Sequence, residues 1–444
     1  MLGYYLDLAI RSLRRNVALT ALMVAVVGVG IGASMTVLTT LRALAVDPIP
    51  DKSAQLFAPQ IDSVGPRRRP GGAAGPSSPL PDQLSYGDAM ALMKATQPVR
   101  QTPTYSVSVD VSSADAVPFP VSGRAAYADF FPMFEVPFRS GSPWSHAEDR
   151  DGTNVVVISA KLADRLFPHT DAVGRTIKLS DHEYRIVGIT NPWNPVPRFY
   201  DLTLGTGLTD TEDVFVPFAT AIDREMDRPG AMRCGIQRDF HKERYTTIDC
   251  FWLQYWVELP TATAARDYRT FLYDYAAEQR RLGRFSWPPR VQLRDVRGWM
   301  ALEIAVPDTL RVSSAVAFGF LGVCLINAAG LMLARFSARA GELGVRRAMG
   351  ASRWDICQQC IVETAVVGLP AGLVGLGLTA AGLASQRSLH MIAGSAATVS
   401  RVTSLDGDMM VITMVLAVCA TVGSALYPVW RASRVLPAWQ LKSQ

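Results

Sequence analysis

The sequence predicts a membrane protein: four transmembrane α-helices, with a large α+β domain inserted between the first and the second. Three observations carry this. Four long apolar runs contain no charged residue, and lysine and arginine gather at particular ends of those runs. The stretch between the first two runs mixes strand and helix patterns without strict alternation.

The uncharged runs are Val17–Leu41, Val312–Ala334, Thr364–Gln386 and Met409–Trp430. At ~1.5 Å of rise per residue, each covers the ~30 Å hydrocarbon core of a bilayer. A buried globular helix accounts for one such run; four at spanning length with charged flanks call for a bilayer. The whole chain agrees, with 49% hydrophobic and 19% charged residues and a mean hydropathy of +0.15. The first run also admits a signal-peptide reading, with Arg11, Arg14 and Arg15 ahead of it and "ALAV" at Ala43–Val46 as a cleavage pattern. It is about twice as long as a typical signal-peptide core, so a retained helix is expected.

Arg11, Arg14 and Arg15 precede the first run, and Asp47 and Asp51 follow it. Arg335, Arg339, Arg346, Arg347 and Arg353 lie between the second and third, and Arg431, Arg434 and Lys442 follow the fourth. All three basic clusters fall on one face if the chain starts inside, which places both termini in the cytoplasm. The formal net charge of +5 is then a topology signal and is no argument for nucleic acid.

Element by element, residues 1–16 are expected to form an amphipathic interfacial helix, with Tyr5, Leu8 and Leu13 opposite the arginines. The first span covers residues 17–45 and the outer domain residues 46–305, with a β-rich sub-lobe at about 150–240. Within it, the Pro/Gly/Ser-rich stretch Arg67–Pro81 reads as a loop. Asn154–Ile158 reads as a strand that runs into a helix capped by Ser159. A hairpin turns at Ser180–His182, and further strands lie at "VFVPF", "FWLQYWVEL" and "RVQLRDV". Thr261–Gly283 is an amphipathic helix ending at Gly283. The second span takes residues 306–335, a short basic helix residues 336–356, and the third span residues 357–386. A short outer loop follows at 387–408, the fourth span at 409–430 and a tail at 431–444.

The segment "LINAAGLMLARFSARAGELGVRRAMGASRWDICQQCIVETAVVGLPAG" resembles the permease signature of the MacB/FtsX superfamily of ABC transport systems. There, a membrane helix with an Asn-rich end runs into a basic, Glu- and Gly-containing phrase that ends in M-G-A or L-G-A. "ISAKLADRLFPHTDAVGRTIKL" with "YRIVGI" is similar to the family's extracytoplasmic core domain, and "ALYPVWRASRVLPAWQLK" to its closing phrase. Gly341 departs from the pattern, which usually has a basic residue before the Glu; either Arg339 supplies that charge instead or the grip on the partner is altered. Asp223–Asp249 has no counterpart in the family.

The resemblance implies a MacB-type permease whose ATPase is a separate polypeptide. ATP and Mg would bind there, and no cofactor would bind this chain. It also implies a cytoplasmic coupling helix seated on the ATPase, carried here by Glu342, Leu343, Gly344, Arg346, Arg347, Met349, Gly350 and Ala351. Gly350 is a candidate C-cap for it, and a plain positive anchor against lipid headgroups is the alternative. Further implied are a second permease (the same chain or another), a membrane-fusion protein with an outer-membrane duct, and inner-membrane localisation with a periplasmic domain. The function expected is an export or efflux permease working by mechanotransmission. Alternatives are a lipoprotein-extracting permease, a regulator of cell-wall hydrolases, or a membrane-anchored receptor without a motor.

The six lysines are Lys52, Lys94, Lys161, Lys178, Lys242 and Lys442; none follows a glycine, so these residues contain no P-loop. No H-E-x-x-H or G-x-S-x-G occurs, and the five histidines are scattered, which argues against an enzyme. Cys357 and Cys360 form a C-x-x-C without the second pair a zinc site needs. Cys234 and Cys250 fall in the outer domain, where an oxidising compartment allows a disulfide; two free thiols remain open. In the spans, Gly28 and Gly32 offer close helix packing, and Pro370 is expected to kink the third span. Asn327 is expected to hydrogen-bond either to a neighbouring helix or to its own backbone.

Overall fold

The computed structural model describes residues 8, 11, 13, 16–63, 80–113, 116–168, 170–202, 210–230, 232–234, 246, 250–285, 288–303, 308–392 and 407–433. The expected interfacial helix therefore lies largely outside the described residues. So do most of the loops at 67–81 and 387–408 and most of the tail. The chain divides into two compact units, Val46–Ala305 and the pair Met1–Ala45 with Val306–Gln444.

Helix α1 (Val17–Ala45) leads into the large unit. That unit opens with β1 (Leu56–Ile61), α2 (Tyr86–Leu92), β2 (Arg100–Ser113), β3 (Ala116–Ala126), α3 (Phe130–Met133) and β4 (Phe138–Gly141). It continues with α4 (His146–Asp151), β5 (Val155–Ser159), α5 (Ala160–Leu166), β6 (Thr176–Leu179), β7 (His182–Thr190), β8 (Val214–Pro217) and α6 (Phe218–Asp223). It closes with β9 (Arg233–Cys234), β10 (Cys250–Phe251), β11 (Gln254–Glu258), α7 (Ala262–Arg281), β12 (Val291–Asp295) and α8 (Val296–Glu303). The helices α9 (Asp308–Ala338), α10 (Ala340–Ala348), α11 (Arg353–Ile392) and α12 (Gly407–Ser433) follow.

One ten-stranded sheet organises the large unit, in the order β12-β1-β11-β2-β3-β8-β5-β7-β4, with β6 bridging β2 and β7. The described strands between residues 150 and 240 share one sheet with β1–β3, apart from the short β9. Pairing between β3 and β8 and between β5 and β7 is parallel; the other pairs are antiparallel. The long β2–β3 ribbon supplies the centre, with Val107, Val109 and Val111 buried at alternate positions. On one face, α7 lays Tyr268, Leu272 and Ala276, each four residues apart, against this core. Thr261 caps α7 by accepting from the Ala264 amide at 3.1 Å, and Gly283, at φ +78°, ends it. Ser159 caps α5 from the end of β5, accepting from the Leu162 amide at 3.0 Å.

Another part of the unit holds an aromatic cluster in which Phe130, Phe134, Tyr200, Phe199 and Trp256 meet edge to face or tilted. Beside it lies a fully buried charge network. Arg124 donates to Asp201 Oδ2 at 2.7 Å and to Glu212 Oε1 at 2.6 Å. Arg198 reaches the same Glu212 oxygen at 3.2 Å, and the Tyr200 hydroxyl donates to Glu212 Oε2 at 2.8 Å. Two arginines face two carboxylates, so the network is neutral and richly bonded, as buried charge requires. Burial raises the Glu212 pKa, but Arg124 and Arg198 outweigh it and hold the carboxyl below its ordinary value.

The other unit contains four helices long and apolar enough to cross a membrane: Val17–Arg42, Val312–Ala338, Arg353–Ser385 and Gly407–Arg431. Helix α11 is their hub, packed along both α1 and α12. Gly28 and Gly32 sit where a Cβ would lie 2.7 Å from Val374 Cγ1 and 2.6 Å from Leu378 Cβ, so α1 and α11 approach backbone to side chain. Gly372 does the same against Met414 of α12. Pro370 lies inside α11 on an exposed face. The helix runs to Ile392, beyond the end of the apolar run, because the polar residues after Gln386 carry no helix-breaking signal.

Candidate functional site

The segment between α9 and α11 is short, basic and closed at both ends by local hydrogen bonds. Arg339 stands at the N-cap position of α10, so Gly341 falls inside the first turn and does not bracket the helix. Glu342 in that turn and Arg346 and Arg347 in the last complement the helix dipole. At the far end the Gly350 amide donates to Arg347 O at 3.2 Å and the Ala351 amide to Arg346 O at 3.1 Å. This is a Schellman closure, and it needs the left-handed φ of +104° that Gly350 adopts. One residue later α11 begins with a reciprocal cap: the Ser352 amide donates to Asp355 Oδ2 at 2.9 Å, and Ser352 Oγ accepts from the Asp355 amide at 3.2 Å.

An ion network ties the three helices together. Glu363 of α11 pairs with Arg335 of α9 at 2.6 Å and with Arg339 at 3.0 Å. Arg339 also reaches Glu342 at 3.3 Å; Glu342 pairs with Arg346 at 3.2 Å, and Arg346 donates to Gln359 Oε1 of α11 at 3.1 Å. Burial lowers the pKa of Arg339, yet Glu363 and Glu342 more than compensate, so its guanidinium stays charged. α10 is therefore bolted to α11 at both ends, through Arg339–Glu363 and Arg346–Gln359.

This arrangement divides the residues expected to form the coupling site. Glu342 and Arg346 point into the network, Gly344 is buried, and Arg347 and Ala351 are half-buried. Met349 and Gly350 are exposed, and the side chain of Leu343 lies outside the described residues. Val345 and Trp354, which sequence reasoning did not single out, join Met349 as exposed apolar side chains: Val345 is 57%, Met349 77% and Trp354 66% accessible. Glu363 and Gln359 were also missed. The signal for Glu363 was a carboxylate standing immediately before an uncharged run of spanning length, a position that demands a partner.

Asn327 meets neither expectation: its side chain is exposed on α9, and no hydrogen bond joins it to another described residue. In the large unit Cys250 is disulfide-bonded, and its Cα partner across the β9–β10 ladder is Cys234. Cys324, Cys357, Cys360 and Cys419 are free thiols. Among the described residues no group of His, Cys, Asp or Glu is placed to hold a metal ion.

Residues 18–265 match the family of MacB-like periplasmic core domains, and residues 314–437 match the FtsX-like permease C-terminal family. Among curated relatives, the macrolide export ATP-binding/permease protein MacB of Salmonella typhi is 22% identical over 340 residues, covering 74% of this chain and 46% of its own. The protein of the same name from Agrobacterium fabrum is 28% identical over 295 residues, covering 66% of this chain and 40% of its own. The chain thus spans about half the length of the curated relatives it matches. Among solved structures, the periplasmic region of MacB from Actinobacillus actinomycetemcomitans covers 60% of this chain and 97% of its own, at 11% identity and a TM-score of 0.35. With one family covering more than half of its length and the other most of the remainder, the chain belongs to the MacB-like, FtsX-like ABC transporter permeases.

Proposed function

We propose that this chain is the permease subunit of an ATP-driven export system, and that residues 339–355 form the seat for a separate ATPase subunit. The observation that carries the reading is the bolted helix α10. Its charged side chains are largely engaged with α9 and α11, while Val345, Met349 and Trp354 remain exposed beside it. A short element fixed at both ends passes a push to its neighbours instead of yielding. The push would reach the α+β domain through α1 and α9, which adjoin it in the chain. The basic clusters support a cytoplasmic seat and an outer domain in the periplasm. ATP and Mg belong to the partner subunit in this reading, two permeases pair because two ATPase subunits close on each other, and the cargo is handled outside the inner membrane. A membrane-fusion protein and an outer-membrane duct would complete the path.

The test is a pull-down of the chain from native membranes in mild detergent, with any ATPase subunit that comes with it identified by mass spectrometry. The substitutions Met349→Glu and Trp354→Glu together are expected to abolish ATPase recovery while the chain still inserts. If native complexes contain no ATPase subunit, the reading fails and a motor-independent receptor becomes the better one.

A further inference from the structure

Strand β12 is one end of the ten-stranded sheet. Its register on β1 sets Gln292 opposite Gln60 and Arg294 opposite Ala58, and the Asp62 amide donates to Arg290 O at 2.9 Å. Hydrogen-bonded pairs alternate along an antiparallel ladder. The even-numbered residues therefore bond to β1, and Val291 and Leu293 turn their amides and carbonyls to the open side. Among the described residues no hydrogen bond reaches them there. Such an edge is a template for a further strand.

A cleft of about 500 Å³ opens beside it, lined by Arg269, Thr270 and Tyr273 of α7 together with Leu80 and the stretch Pro289–Gln292. Because α7 turns Tyr268, Leu272 and Ala276 into the core, Arg269 and Tyr273, four residues apart, share an exposed strip. The lining is apolar at Leu80, Pro289, Val291 and the Tyr273 ring. It carries two guanidinium groups and no carboxylate; Asp267 and Asp274 of the same helix stand outside it. Arg290 is paired with Asp62 at 3.2 Å. Arg269 has no hydrogen bond or ion pair to another described residue.

We infer that this cleft takes an extended acidic segment of another polypeptide, added to β12 as a further strand. The backbone of that segment bonds to Val291 and Leu293, and every second side chain enters the cleft. A carboxylate is held by the Arg269 fork, and apolar neighbours rest on Tyr273 and Leu80. A second copy of the chain fits poorly, because it would bring its own Arg269 and Arg290 to the same edge. The chain's own residues 64–79 fit poorly too, since they contain Arg67, Arg68 and Arg69 and no Asp or Glu. The site is independent of the seat at α10 and of any ATPase.

Selection of a random linear peptide library on the detergent-purified full chain tests it. Peptides in which Asp or Glu alternates with apolar residues should be enriched, and Arg269→Glu should erase the acidic preference. A synthetic peptide from the enriched pool should bind Arg269→Glu about tenfold to a hundredfold more weakly, the scale of a hydrogen bond to a charged group. The unfolding midpoint of that variant should match the natural chain, because Arg269 is exposed. N-methylation of alternate peptide amides should abolish binding in one phase and spare it in the other. Equal acidic enrichment on Arg269→Glu, or none on the natural chain, overturns the proposal, as does equal tolerance of both methylation phases. Two further outcomes overturn it by naming another occupant. One is a peptide-free dimer cross-linked through a cysteine at exposed Gln292, with Cys324, Cys357, Cys360 and Cys419 replaced by alanine. The other is peptide binding that appears only when residues 64–79 are deleted.

Discussion

Arg335 and Glu363 form an ion pair of 2.6 Å in which both side chains are almost wholly buried, 3% and 4% accessible. They belong to different helices, and Arg339 shares the same carboxylate at 3.0 Å. Glu363 is thus the centre of the clamp, and the arginines are its two arms.

The first prediction follows from that asymmetry. Glu363→Met removes the carboxylate that Arg335 and Arg339 share, and breaking a buried pair from one side typically costs on the order of 3–5 kcal/mol. Arg335→Met leaves Arg339 on Glu363 and should cost clearly less. The double substitution should recover part of the loss, since Arg339 keeps Glu342. Thermal unfolding of the detergent-purified chain gives the ranking; an Arg335→Met variant as damaged as Glu363→Met would remove Glu363 from the centre.

A second prediction concerns the buried network of the large unit. Arg124→Met leaves Asp201 and Glu212 with Arg198 as the remaining cation of the network, a loss on the order of 3–5 kcal/mol near neutral pH. Because the folded-state pKa of Glu212 is held below 4.5, the stabilisation Arg124 gives it is present above that value and fades as the pH falls further. The gap in unfolding midpoint between the natural chain and Arg124→Met should therefore narrow in acid. A gap that stays constant as the pH falls from 5 to 2 would show that packing, not charge, dominates at Arg124.

How much of this was legible beforehand follows from locality. Membrane helices satisfy their own backbone hydrogen bonds, so an uncharged run of sufficient length was enough to place the four spans. The cap at Ser159 and the close of α7 at Gly283 were legible because each depends on its own segment alone. The neighbours of β2 were not, because sheet order depends on pairings between distant segments. Nor was the bond from Arg124 to Glu212, which spans 88 positions of sequence. At the candidate site, the helix and its closing glycine were readable from α10 itself, whereas the clamp required knowing which face of α11 turns toward α9. The same gap explains Asn327: an apolar run does not say which of its faces is covered by the chain's own helices.

A third prediction has the opposite pH sign to the second. Asp149 is buried against Trp144, whose indole donates to it at 2.6 Å, and the Ala128 amide donates at 2.7 Å. Burial dominates these bonds and pushes its carboxyl up to about 6 from 3.8. The folded state thus binds this proton more tightly than the unfolded chain does. Asp149 contributes most below its unfolded value, and the contribution declines by about 1 kcal/mol per pH unit as the pH rises toward 6, then levels off. Asp149→Asn should flatten the profile between pH 4 and 6, measured as unfolding midpoint against pH. An unaltered slope would assign that window to another group.

The fourth prediction separates the two kinds of glycine in the spans. At Gly32 an added side chain would meet Leu378 Cβ at 2.6 Å, where neither helix has a flexible end to move aside. Gly32→Val should therefore overpack the α1–α11 contact, at a cost of about 1–3 kcal/mol. Gly377 on α11 is exposed, and a Cβ there meets nothing within 4 Å. Gly377→Val adds the same atoms on the same hub helix and should leave the unfolding midpoint nearly unchanged. Thermal unfolding of both variants in one detergent makes the comparison internal. Equal losses would mean that valine disturbs the helix itself, and the close approach of α1 to α11 would then not be what fixes Gly32.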